Sequence, residues 1–383
     1  MKWKKAAMLI LTAALVCQPM SVFADAAPDG MTDASQTEAA QNGAWEAWSE
    51  EWETIKEDWT QVSMSPGSDE TQMNFAWYSK DGEQTGFVYG TNSDLSDAQS
   101  AEIAQTAAQT GYVSNKVTLK GLQPGTTYYY QVEGKEIESF TTDDDTSSFS
   151  FVFVGDPQIG SSNEEKAKTP EDIQKPTFLT AQSEAVRNDT FNWNYTLERA
   201  YAKTGNTASF ILSSGDQIQT NAEKVKDGTV SEMEYAGYLS PDIMKSVPVA
   251  TTVGNHDADN ANYTYHFNTA NLSDLGDNGY VGGDYYFTYG GALFIILNTQ
   301  DTNVSEHKQF IEQTVAANPD CKWRIVTLHQ DIYGSAEHSN EPEITNLRYS
   351  LVPIFEENDV DIVLTGHDHA YSRTKMLQGG QST

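Results

Sequence analysis

The chain is poor in cysteine, in cationic side chains and in long apolar runs, and each scarcity closes off a class of protein. Only two of its 383 residues are cysteine, Cys17 and Cys321, and the first lies in a leader-like segment. A single remaining thiol forms no internal disulfide, so stability must come from hydrophobic cores and bound metals. Lys and Arg number 23 against 55 Asp and Glu, a net charge of −32. Such a surface repels a phosphate backbone and argues against a nucleic-acid scaffold. An anionic substrate must then be drawn in by metal ions or local cations. The one apolar run of note, residues 6–16, is short for a transmembrane anchor. It follows Lys2, Lys4 and Lys5 and precedes the small-residue site Val22-Phe23-Ala24. That order predicts a secretory signal peptide cleaved after Ala24, hence a secreted or cell-surface protein of net charge about −35.

What is present divides the remainder into about two domains. Residues 25–60 are acidic, with Trp45, Trp48, Trp52 and Trp59 spaced as one helical face. The spacing predicts a helix that packs its indoles onto the following domain. From 61 to 145 short alternating runs (73–78, 85–89, 115–120 and 127–132) are separated by Gly, Pro, Asn and Asp turns. This is the pattern of a small antiparallel sandwich, with the helical signal at 98–110 read as a loop insertion. Residues 143–148 read as a linker. From 146 to 383, apolar runs at 149–154, 209–213, 247–253, 324–328 and 360–365 alternate with helical patterns at 193–201, 232–244, 305–318 and 344–358. The class is therefore α/β. A hairpin (285–289 and 293–297 around Gly290-Gly291) adds antiparallel strands. Residues 160–190 lack periodicity and read as a long surface loop.

Short polar runs stand at the ends of these strands: Gly155-Asp156-Pro157-Gln158, Gly215-Asp216, Gly254-Asn255-His256-Asp257, Val326-Thr327-Leu328-His329 and Gly366-His367-Asp368-His369. Open α/β sheets place their sites at the carboxyl ends of strands, so residues spread over two hundred positions converge. In four of the runs, glycine at the turn lets the next side chain point into a crevice without a Cβ clash behind it. Imidazole with carboxylate and amide oxygen, and no thiolate, suits Zn, Mn or Fe rather than Ca or Mg. A carboxylate such as Asp216 can bridge two ions, and two ions a few Å apart can clamp a phosphate and acidify water.

The order of these runs resembles the calcineurin-like metallophosphoesterases. The ending Gly366-His367-Asp368-His369-Ala370-Tyr371-Ser372-Arg373, behind a β-sandwich, is similar to the purple acid phosphatase branch. Residues 117–132 resemble the E-to-F strand segment of fibronectin type III domains, with Trp77 as the core tryptophan. The resemblance runs from about residue 61 to the C-terminus. It implies a four-layer α+β sandwich, two sheets flanked by helices, behind a fibronectin-like domain that serves as spacer or support. It also implies hydrolysis of a small phosphorylated substrate, most simply a phosphomonoester, at two divalent ions. One ion would take Asp156, Asp216 and His369, the other Asp216, Asn255, His329 and His367. His256 would lie beside the phosphate as general acid or charge stabiliser, and His338 would be a second substrate-facing histidine. Gln158 stands where many metallophosphoesterases have histidine, and its amide oxygen is the candidate ligand there. Gln219 stands where purple acid phosphatases have tyrosine, so a tyrosinate–Fe(III) centre is not expected.

Two alternatives share the same fold. One is a phosphodiesterase on the same site; the other is a catalytically weak cell-surface binding protein, suggested by the acidic tryptophan-bearing segment and the two glutamines. Outside the site, His266 reads as structural, His307 as a solvent-exposed helix residue, Cys321 as structural, and Tyr371 and Arg373 as packing behind the metals. Thr383 follows Arg373 by ten residues, where the resemblance leads one to expect further strands.

Overall fold

The computed structural model describes residues 34–165, 169–219, 229–258, 261–277, 279 and 281–382. The leader expected at 1–24 lies outside them. No helix among the described residues is long and apolar enough to cross a membrane.

Helix α1 (Ala44–Ile55) carries the tryptophan stripe. Trp48 Nε1 donates to the Arg187 carbonyl (2.8 Å), Trp52 Nε1 to Ser183 Oγ (3.1 Å), and Trp45 meets Phe191 edge-on. The stripe thus docks on the C-terminal half of the chain and not, as expected, on the domain that follows it. Trp59 lies past the helix end and alone of the stripe packs on the sandwich, tilted against Tyr112. The physical reason is that the two sandwich sheets already cover each other's apolar faces.

That sandwich consists of β1 (Ser63–Pro66), β2 (Gln72–Lys80), β3 (Phe87–Gly90), β4 (Gln99–Ser100), β5 (Ala104–Ala107), β6 (Tyr112–Lys120), β7 (Thr127–Val132) and β8 (Glu138–Thr141). Its antiparallel sheets run β1-β2-β6-β5 and β4-β3-β7-β8. Phe75, Trp77, Val117 and Leu119 from one meet Phe87, Tyr130, Val132 and Phe140 from the other. Residues 98–110, expected to form a helix or loop insertion, supply β4 and β5. Their Ala- and Gln-rich sequence favours helix only locally, and pairing with β3 and β6 overrides that preference. Strand β2 is buried on both faces, because Asn74, Ala76 and Tyr78 turn toward the C-terminal half.

The C-terminal half contains β9 (Phe151–Val154), α2 (Pro170–Ile173), α3 (Pro176–Lys203), β10 (Phe210–Ser213), α4 (Thr229–Leu239), β11 (Val249–Thr251), α5 (Asn262–His266), β12 (Tyr285–Tyr289), β13 (Ala292–Ile296), α6 (Val304–Ala317), β14 (Trp323–Thr327), α7 (Pro342–Glu357), β15 (Ile362–Leu364), β16 (Leu377–Gln378) and β17 (Gln381–Ser382). A parallel sheet β11-β10-β9 faces a mixed sheet β12-β13-β14-β15. Phe210, Leu212, Ala250, Phe287, Phe294 and Ile296 fill the space between them. Helices α3 and α4 cover the outer face of the first sheet through Val186, Trp193, Leu197, Tyr235 and Tyr238. Helices α6 and α7 cover the second through Phe310, Ile311, Leu347 and Leu351. The result is the four-layer helix–sheet–sheet–helix arrangement that the resemblance implied.

Three sequence expectations are corrected here. Residues 160–190 are not one long loop, since α2 and most of α3 fall inside them. The inward positions of α3 include Gln182 and Thr190 among Phe178, Val186, Trp193 and Leu197, and these polar members hid the helical period. Gln182 is buried because its amide donates to the Gly160 carbonyl and to Glu234. His307 is not solvent-exposed but fully buried on α6. Its Nδ1 donates to Asp284 Oδ2 (2.8 Å) and its Nε2 to the Asp301 carbonyl (2.9 Å), so two acceptors satisfy a ring that hydropathy counts as polar. Burial opposes the charged form, yet the hydrogen bond and charge of Asp284 raise the imidazole above its ordinary pKa. Finally, Tyr371 and Arg373 do not pack behind the site, because the chain turns outward after His369 and leaves Tyr371 91% exposed.

The run 143–148 is firmly tied. Ser209 Oγ and Tyr289 Oη both donate to Asp143 Oδ2, at 2.5 and 2.7 Å. The two halves also share a buried triad, in which Tyr78 Oη donates to Glu232 Oε1 (2.9 Å) and His266 Nε2 meets Glu232 Oε2 (2.6 Å).

Candidate metal centre

The polar runs follow β9, β10, β11, β14 and β15, all members of parallel pairs whose carboxyl ends come together. Their backbone is strained in a telling pattern. Asp156 (φ 54°), Gln158 (39°), Asp216 (52°), His367 (71°) and His369 (49°) all lie in the left-handed region. Non-glycine residues rarely sit there, and such strain collects where surrounding structure holds functional side chains in place. The motif glycines avoid Cβ clashes between closely approaching turns, as read from the sequence. At Gly254 a Cβ would run into the Asp216 carboxylate and backbone, and at Gly215 it would lie 2.6 Å from His329 Nδ1. Asp257, a residue to which the sequence reading gave no role, knits the turns from beneath. Its buried Oδ2 accepts from the Asp216 and Gly254 amides (2.9 Å each) and its Oδ1 from the Gln217 amide (3.2 Å).

On this frame His329, Asp216 and Asn255 converge. His329 Nδ1 donates to the Ser214 carbonyl (2.9 Å), which turns Nε2 into the site. There Nε2 lies 3.0 Å from Asn255 Oδ1 and 3.3 Å from Asp216 Oδ2. The His367 ring stands edge-on to that of His329 at 4.9 Å. Asp216, His329 and His367 each offer a ligand atom within 4.8 Å of one another. Burial pushes the Asp216 carboxyl up, but the charge and hydrogen bond of His329, with His256 behind it, outweigh burial and hold it well below the usual carboxylate range. Burial likewise opposes charge on His329, yet Asp216 and Asp156 push its pKa up to about 9. For His367, burial and the charges of His329 and His338 act together, pushing it down to about 4. A positive charge on His329 Nε2 thus sits between Asp216 and Asn255 oxygens, which is the donor arrangement a divalent cation requires. The residues fit a metal.

Asp156, Gln158 and His369 form the other side. Asp156 accepts the His367 amide through both oxygens (2.9 and 3.0 Å) and lies 3.7 Å from His369 Nε2. Burial raises its carboxyl above the ordinary value. His369 stands at the rim, 56% exposed. Gln158 reaches the centre with its amide Nε2 donating to Asp216 Oδ2 (3.2 Å) rather than with its oxygen presented as a ligand. Gln158→His is accordingly expected to tighten binding of a second divalent ion by at least about tenfold, read as a second transition in a metal titration; an unchanged titration contradicts the assignment.

His256 and His338 flank the cluster. The His256 amide donates to Asp216 Oδ1 (2.8 Å), and its Nδ1 donates to the Gln219 carbonyl (2.6 Å), leaving Nε2 directed into the site 3.9 Å from Asp216 Oδ2. The His338 ring lies tilted against that of His367 at 4.4 Å, with its Nδ1 2.8 Å from Glu341 Oε1. Glu341 and Asp368 are further polar neighbours that the sequence reading left without a role. The signal available for Asp368 was its place between two histidines of one run.

Residues 149–371 match the family described as calcineurin-like phosphoesterase, and the chain belongs to that family. Residues 59–153 match the purple acid phosphatase N-terminal domain. Among curated relatives, purple acid phosphatase 4 of Arabidopsis thaliana is 26% identical over 202 residues, covering 44% of this chain and 55% of the relative. Probable purple acid phosphatase 20 of the same plant is 24% identical over 319 residues, covering 79% and 66%. The solved purple acid phosphatase PPD1 from yellow lupin (Lupinus luteus) seeds shares the fold, with a TM-score of 0.58 at 15% identity over 85% of this chain and 61% of that one. The chain therefore spans about half to two thirds of the length of these relatives.

Proposed function

We propose that the chain is a secreted, metal-dependent phosphoester hydrolase acting on small phosphomonoesters. The observation that carries this reading is the convergence of Asp216, Asn255, His329 and His367, with His256 beside them. Asp216, Asn255, His329 and His367 would hold one divalent ion, and Asp156, Asp216 and His369 a second. Bound there, such ions supply charge stabilisation to a phosphoryl group and lower the pKa of water. Zn, Mn or Fe(II) suits this donor set, and Gln219 supplies only its main-chain carbonyl to His256, so no phenolate is available from that position.

The chain's own groups do the rest. The Gln219 carbonyl holds the Nδ1 proton of His256, so Nε2 is the free ring atom: in the imidazolium form it carries the proton that passes to the departing alkoxide. Asn255 spends its Oδ1 on the ligand cluster and keeps Nδ2 as a donor for a phosphoryl oxygen. His367, held neutral by its pKa of about 4, offers an unprotonated nitrogen at neutral pH.

Hydrolysis of 4-nitrophenyl phosphate and of bis(4-nitrophenyl) phosphate by Zn- or Mn-loaded protein tests the reading. Faster turnover of the monoester is expected, and preference for the diester would move the assignment to a phosphodiesterase. His256→Ala is expected to lower kcat by about 10²-fold with metal retained. A metal-loaded protein that hydrolyses neither ester sinks the proposal.

A further inference from the structure

Between the two histidines of the last run stands Asp368, only 4% exposed and turned away from the ligand cluster. Its carboxylate is spent on a neighbouring segment. Oδ1 accepts the His338 amide (2.9 Å) and Oδ2 the Ala336 amide (2.5 Å). Gly334 passes so close that a Cβ there would run into Oδ2. The stretch from Ser335 to Glu337 is exposed, and apolar packing does little to seat it. Its flanks are also held by Arg348 of α7, which donates to the Ser339 carbonyl (2.6 Å) and to that of Ile332. This loop carries His338, whose ring lies 4.4 Å from that of His367 and whose Nδ1 is taken by Glu341.

We propose that Asp368 is a positioning residue: it clamps the 334–338 loop to the His367 turn and thereby sets His338 against the metal centre. The role needs a carboxylate. Two amides that converge from one loop are both satisfied by an anion, whereas an asparagine amide can accept one and must turn an NH2 toward the other. The same backbone turn therefore fixes a ligand, His367, and the loop that carries a group beside it. A shift of the loop displaces His338 without touching Asp216, Asn255 or His329. The consequence for turnover rests on the proposed phosphoesterase activity; the clamp itself does not.

Two measurements separate those parts. Hydrogen exchange of the Ala336 and His338 amides reads the clamp directly, with or without metal. Asp368→Ala is expected to speed both at least about tenfold and Asp368→Asn to free one of them. Unchanged exchange at both amides in Asp368→Ala overturns the proposal whether or not the wild type hydrolyses anything. In the loaded wild type, kcat and KM for 4-nitrophenyl phosphate are compared with those of Asp368→Ala, His338→Ala and the double variant, with metal content measured on each. Positioning predicts equal losses in the two single variants, no further loss in the double variant, and unchanged metal content. Additive losses, or loss of metal in Asp368→Ala, overturn it in favour of a plain structural role in the turn.

Discussion

Asp216→Asn is expected to lower phosphomonoester turnover by at least about 10³-fold and to weaken retention of divalent metal, while the fold survives. Asparagine is the informative replacement. Asp216 sits at φ 52°, a region that asparagine tolerates and alanine does not, so backbone strain is held nearly constant. What changes is charge at a fully buried position. Oδ2 is the oxygen that faces His329 Nε2, His256 Nε2 and the Gln158 amide together, and Oδ1 receives the His256 amide. The variant leaves the shape of that hub but removes the anion that holds its cations, both the proton on His329 and any metal that replaces it. Turnover with bound metal quantified and a thermal unfolding curve on the same sample check the expectation. Full activity in Asp216→Asn refutes Asp216 as a ligand; loss of fold instead makes it a structural residue.

The second large effect concerns stability. Glu232→Ala is expected to cost about 3–5 kcal/mol of unfolding free energy. Glu232 is fully buried on α4 and satisfies Tyr78 of the sandwich and His266 of α5 at once. Removing it strands a buried hydroxyl and a buried imidazole between aromatic rings: His266 lies 4.5 Å from the ring of Tyr78 and 4.6 Å from that of Tyr235. Nearby, the end of α5 and the residues after it are pinned to the sandwich by Ser63 to the His266 carbonyl, Ser114 to that of Tyr265 (2.8 Å) and Asn74 to that of Asn268 (2.9 Å). The triad therefore holds the two halves of the chain together. Tyr78→Phe, which removes one bond and leaves the pair intact, should cost only about 1 kcal/mol. Denaturant unfolding of both variants measures this. Equal, small losses would show that the Glu232–His266 pair contributes little.

The sequence was most readable where local chemistry and tertiary demand coincide. The runs of β10 and β11 are apolar because the sheet buries them on both faces, those of β9, β14 and β15 are buried in part, and each run ends at a glycine or polar turn that the fold brings to one edge. Legibility fell where one of the two levels was silent. Helix α3 hides its period because Gln182 and Thr190 occupy inward positions, and their fitness depends on a remote partner such as Glu234. Strand β5 reads as helix because only its pairing with β6 makes Ala104–Ala107 extended. His307 reads as exposed because Asp284, 23 positions away, supplies the acceptor that buries it. The roles of Asp257 and Asp368 needed three-dimensional contacts, since Asp257 holds the Asp216 and Gln217 amides of another turn and Asp368 the amides of another loop.

The central claim is that these turns hold metal, and counting the ions tests it most directly. Protein freed of metal and titrated with Zn or Mn is predicted to take up one ion tightly, lost in Asp216→Asn, and a second more weakly, strengthened in Gln158→His. A wild-type chain that binds no ion in this titration, or binds one equally well in Asp216→Asn, contradicts the account.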